Sequence, residues 1–112
     1  MSALLHALER FVEAYHARHD LVAQHRGWSP TIALVASDTG AAARARVADG
    51  RIVALDDGAA GDVVIRADEA TLRDVLELRR SANEPYVFGE LVVEGAEADF
   101  LRLDYITTVL GP

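Results

Sequence analysis

The sequence predicts an α+β domain with helices packed on a five-stranded sheet. Three observations predict it. Apolar residues recur at helical spacing near both ends and once in between. Short runs of alternating or continuous apolar residues, the marks of strands, fill the intervals. The resulting order, α-β-β-β-β-α-β-α, groups strands instead of interleaving each with a helix. At 112 residues the chain has the size of one domain with one core, so residues 1 to 112 are read as a single domain.

Residues 3 to 23 read as one amphipathic helix, with Leu4, Leu8, Phe11, Val12, Tyr15 and Val22 at helical spacing and Glu9, Glu13 and Asp20 opposite. "HRGWSP" (25–30) breaks that pattern with Gly27 and Pro30 and carries Trp28, the single tryptophan. "TIALVAS" (31–37) suits a strand covered on both faces. In "AARARVADGRIVAL" (42–55), Arg44 and Arg46 alternate with Ala43, Ala45 and Val47, and Asp49-Gly50 signals a two-residue hairpin turn. After the loop "DDGAAG" (56–61) comes a fourth strand, "DVVIR" (62–66). Asp68 is suited to cap a helix over 69 to 80 with Leu72, Val75 and Leu76 on one face. "SANEP" (81–85) interrupts, with a short helical turn through Phe88. "ELVVE" (90–94), bracketed by Gly89 and Gly95, is the fifth strand, and 97 to 110 is the last helix.

Composition narrows the function. The formal charge of −7 disfavours nucleic acid and anionic membrane surfaces as partners. No run nears the roughly 20 apolar residues of a membrane span, so no stable membrane insertion is expected. Without a secretory leader pattern, the expected compartment is the cytoplasm. With no cysteine there is no disulfide, thiolate chemistry or cysteine zinc site.

The polar motifs form no convergent catalytic set. In "HARHD", His16, His19 and Asp20 have spacings that can share a metal, but only His19 falls in the apolar stripe beside Tyr15, so no metal is expected. His19 there can bond a ligand hydroxyl or act as acid or base; equally, it can be solvated at a helix end. Asp56, Asp57 and Asp62 lack calcium-loop spacing, and the glycines make no nucleotide fingerprint. Ser2, Ser29, Ser37 and Ser81 lack a nucleophile elbow.

Two apolar features remain. The last helix has one face of Phe100, Leu103, Ile106 and Leu110 and a second of Leu101 and Tyr105. A second face implies a second contact: another helix, a ligand, or another copy of the chain in a homodimer. The hairpin's inward residues are small, so the core either packs tightly against them or leaves an apolar void.

"GELVVEG" followed by an apolar helix resembles the sterol carrier protein type 2-like family. So do the "ADG" hairpin at 48–50 and "DVVIRADEATLRDVL" as a strand entering a capped helix. The resemblance covers roughly residues 31 to 110, and the family also has an N-terminal helix. It implies a mixed five-stranded sheet and the binding of lipids, sterols or acyl chains between sheet and helices, with no cofactor. The chain departs from the family at the end of the helix in "LELRRS" (76–81), where Arg79 and Arg80 stand in place of a common glycine, and in the short segment before Gly89.

The expected function is therefore non-enzymatic binding of a hydrophobic small molecule. Expected wall residues are Phe11, Tyr15, Trp28, Ile32, Leu34, Leu72, Leu76, Phe88, Phe100 and Leu103, with His19 beside Tyr15. Arg79 is expected at the cavity mouth, gripping an anionic headgroup or lying on the surface where the helix dipole favours it. The competing class is a cofactor-free isomerase or cyclase using the same cavity. A third is a dimerising accessory module.

Overall fold

The first helix, α1 (Ala3–Ala17), ends six residues before the expected position 23. Arg18 leaves the helical region at φ −97° and ψ 84°, and a short second helix, α2 (His19–Gln24), follows. The reason lies in packing. In one continuous helix, Leu21 would sit about 100° around the axis from Val22 and its stripe. The break reorients the last turn so that Leu21 and Val22 both bury. The computed structural model describes residues 3–111; Met1, Ser2 and Pro112 lie outside them.

Strands β1 (Thr31–Ala36), β2 (Ala42–Ala48) and β3 (Arg51–Asp56) form an antiparallel meander. β4 (Val63–Ala67) pairs parallel to β1, and β5 (Val92–Gly95) antiparallel to β4. The sheet is mixed, in the order β3-β2-β1-β4-β5. The expected alternation in β2 holds: Ala43, Ala45 and Val47 are buried while Arg46 is exposed and Arg44 pairs with Asp56 at 2.9 Å.

The β2–β3 turn has positive φ at Asp49 (51°) and Gly50 (81°), the geometry of a tight primed hairpin turn. Gly50 is irreplaceable for a second reason. A β-carbon there would lie 2.6 Å from the His25 carbonyl oxygen, because the turn docks against the end of α2. Gly95 closes β5 in the same way, with φ 98° and the Asp62 carbonyl where a β-carbon would go. β5 starts later than expected because the Glu90 and Leu91 amides donate to the Pro85 carbonyl, which draws them into the preceding turn.

Asp68 caps α3 (Glu69–Leu76) by accepting the Thr71 amide at 2.7 Å. This helix stops four residues short of the expected 80. The Arg79 amide donates to the Asp74 carbonyl and the Leu78 amide to that of Val75, the pattern of a left-handed helix terminus. Leu78, at φ 63°, occupies the position that usually takes glycine. Helix α4 (Asn83–Val87) leads into β5, and α5 (Glu97–Leu110) closes the fold. α1 packs over β2 and β3, α3 over β1 and β4, and α5 over β4 and β5. The core fills the space between these helices and one face of the sheet.

Candidate binding site between sheet and helices

Strand alternation sends Ile32 and Leu34 of β1, Ala45 and Val47 of β2, and Ile52 of β3 to one face. Above them, helical spacing brings down Leu8, Phe11 and Tyr15 of α1, Leu76 of α3, and Leu103 and Ile106 of α5. Trp28, from the connection after α2, closes one end. These side chains surround an apolar cavity of about 20 Å³. That is room for about one water-sized sphere, so the small residues of the hairpin are met by large ones and the core is nearly filled.

Polar groups lie behind the walls and not on them. The Tyr15 hydroxyl donates to the Gly50 carbonyl at 2.6 Å, and burial raises its pKa, opposed in part by Arg51. The Trp28 indole N–H donates to Asp99 at 2.9 Å. His25 is buried among the rings of Tyr15, Trp28 and Tyr105, with Nδ1 2.7 Å from the Leu21 carbonyl. Among the described residues, no three His, Asp or Glu side chains cluster closely enough to hold a metal ion.

Of the residues expected at the site, Phe11, Tyr15, Trp28, Ile32, Leu34, Leu76 and Leu103 meet around the cavity. The other five lie elsewhere. Leu72 and Phe100 are buried in the core without reaching the cavity, Phe100 against Tyr86 at a ring distance of 4.8 Å. Phe88 is 75% exposed at the end of α4, because the turn before Gly89 swings it outward. His19 requires a correction: the break at Arg18 takes it out of the Tyr15 stripe and places it in a surface cleft with Arg26 and Arg51. Arg79 does not line the cavity either. It is an exposed residue beyond the early end of α3, ion-paired with Asp74 at 3.4 Å and Glu77 at 3.2 Å. The sequence reading missed Leu8, Ala45, Val47, Ile52 and Ile106 as walls, although Ile106 and Leu103 shared its main face of α5.

Leu101 and Tyr105, the second face of α5, are 54% and 47% exposed. The Tyr105 hydroxyl reaches Gln24 at 3.2 Å, so the chain itself uses part of that face.

Neither a family model nor a curated protein matches the chain by sequence. Solved structures do match over nearly its whole length. A crystal structure of sterol carrier protein 2 superposes with a TM-score of 0.74 at 19% identity, covering 97% of each chain. A Thermus thermophilus protein described as possibly a sterol carrier protein gives 0.68 at 21% identity, over 95% of this chain and 87% of that one. Sterol carrier protein 2 of Aedes aegypti, solved in complex with the C16 fatty acid palmitate, gives 0.62 at 14% identity, over 95% and 96%.

Proposed function

We propose that this chain, whose fold is that of sterol carrier protein 2, reversibly binds an apolar small molecule between its sheet and its helices. The observation that carries this reading is the cavity lined entirely by apolar side chains, with the one wall hydroxyl, that of Tyr15, committed to Gly50. Such a lining offers no group to activate a substrate, so it favours binding over an isomerase or cyclase. The palmitate held by the Aedes aegypti protein on the same fold supports a long acyl chain as one ligand class.

Ligand cavities commonly measure roughly 300–1,000 Å³. The cavity here holds about 20 Å³, so binding must be coupled to separation of its walls. Opening exposes apolar surface, and the ligand then covers it. Each side chain kept from water in this way contributes roughly 1.5–3 kcal/mol. A few such contacts, after the costs of opening and association, support affinities around micromolar, roughly −8 kcal/mol.

Trp28 makes the test direct, since it is the only tryptophan and lies on the wall. Fatty acids, a sterol and a polycyclic aromatic are titrated while its emission is followed, and each hit is checked by thermal shift. At least one class should change the emission saturably and raise Tm with concentration. If none does either, the binding reading is wrong.

A further inference from the structure

We infer that the ligand enters and leaves through the seam between segment 24–28 and α5, and that two side-chain hydrogen bonds, Trp28 to Asp99 and Tyr105 to Gln24, keep the seam shut. The inference rests on the proposed binding function and says which wall opens. A cavity of about 20 Å³ admits no ligand unless a wall moves.

Most of the walls are tied by their backbone or by several anchors. The strands are joined by backbone ladders, with one register shift between β2 and β3 at Arg46 and Val47. Helix α1 is held to the hairpin by Tyr15 and the Gly50 carbonyl, to β3 by His16 and the Ile52 amide at 3.1 Å, and to α3 by Arg10 and Glu77 at 2.7 Å. Helix α3 is capped by Asp68, and its Glu69 amide is held by Asp38 at 2.9 Å.

Helix α5 is attached unevenly. On one side it holds the start of α4: Asp104 accepts the Asn83 amide at 2.9 Å, and the Thr107 hydroxyl accepts the Ala82 amide at 3.2 Å. Tyr86 adds a bond to Glu97 at 3.0 Å. Helices α4 and α5 are thereby built to move together. Towards segment 24–28, the hydrogen bonds among the described residues are the two named, at 2.9 and 3.2 Å, both between side chains. The Tyr105–Gln24 bond is exposed, so water can take over both partners, and the Trp28–Asp99 bond is part-buried, so water reaches its partners as the seam parts.

The seam also leads directly to the cavity. Trp28 is a wall residue on one side, and Leu103 and Ile106, on the helix that carries Asp99 and Tyr105, are walls on the other. Outside, Leu101 lies one turn from Tyr105 on the same helix face and is 54% exposed, an apolar landing point beside the opening.

The absence of native cysteine makes a lock practical. The variant Q24C/Y105C is joined across the seam by a short bis-maleimide, and the same variant capped singly with N-ethylmaleimide is the control. Uptake of the fluorescent C18 fatty acid cis-parinarate is followed by stopped flow. Cross-linking should slow uptake by about tenfold or more relative to the capped control. The opposite variant, D99A/Y105F, should speed uptake and release together by about fivefold while Kd moves less than about threefold. In D99N, which keeps an acceptor for Trp28, rates should stay near wild type. If the locked protein takes up the probe as fast as the capped one, the entrance lies elsewhere and the inference is overturned, whatever the behaviour of D99A/Y105F. If wild type and capped protein bind neither cis-parinarate nor any ligand of the Trp28 titration, the binding function fails, and the gate with it.

Discussion

At the free edge of β3, the His16 Nε2 accepts the Ile52 amide at 3.1 Å, which places the ring proton on Nδ1 and ties α1 to a cavity wall strand. A protonated imidazole has no lone pair to accept that amide. Burial, followed by the nearby Arg51, holds the His16 pKa below its ordinary 6.5. In the unfolded chain it returns to that ordinary value, so as pH falls past it the unfolded state binds the proton first. The His16 contribution is therefore complete above the ordinary value and is lost as pH falls through it towards the lower folded one. Asp56 and Asp68, whose folded pKa values lie below their ordinary 3.8, lose their contributions only in more acid solution, so the two windows separate. Urea unfolding between pH 5 and 8 should show stability falling on the acid side, and His16→Gln, which keeps an acceptor but does not titrate, should flatten that fall. An unchanged slope in the variant would assign the pH dependence to another group.

The ends of the elements show how tertiary packing overrides local preference. Nothing in "LELRRS" marks a helix stop, yet α3 turns left-handed at Leu78. A non-glycine residue in that conformation costs roughly 1–2 kcal/mol. Leu78 tolerates it because its side chain packs, half-buried, against the core. Leu78→Gly would remove both the strain and the packing, so its stability should stay within about 1 kcal/mol of wild type, unlike a fully buried leucine, whose loss costs about 2–5 kcal/mol. Thermal denaturation of the variant decides this; a loss in the larger range would mean that packing at Leu78 dominates and that the left-handed turn carries little strain. The break at Arg18 has the same origin, since a locally helical stretch yields so that Leu21 can bury.

For the molecule as a whole, the balance lies between a filled core and a ligand cavity. Ile106 is buried on the cavity wall, and Ile106→Ala should cost about 2–4 kcal/mol while leaving room that the wild type lacks. A small apolar ligand such as benzene should then raise the variant's Tm more than that of wild type; equal shifts would show that the walls collapse into the gap. The sequence by itself determined the α+β class, the hairpin and its turn, and the Asp68 cap. Each of these rests on short-range periodicity or on a single backbone conformation, as with Arg44 and Arg46 alternating around Ala45. Only the tertiary structure decided which apolar residues line the remaining gap. Leu72 and Leu76 share a helix face in the sequence, but the gap forms where the facing side chains fail to fill space, at Leu76 and not at Leu72. His25 shows the same limit. As a sequence it is a polar residue in a connection, and it becomes buried because Tyr15, Trp28 and Tyr105 arrive from three separate parts of the chain. Periodicity reports which side of an element is apolar; how volumes from distant elements meet is a property of their packing in three dimensions.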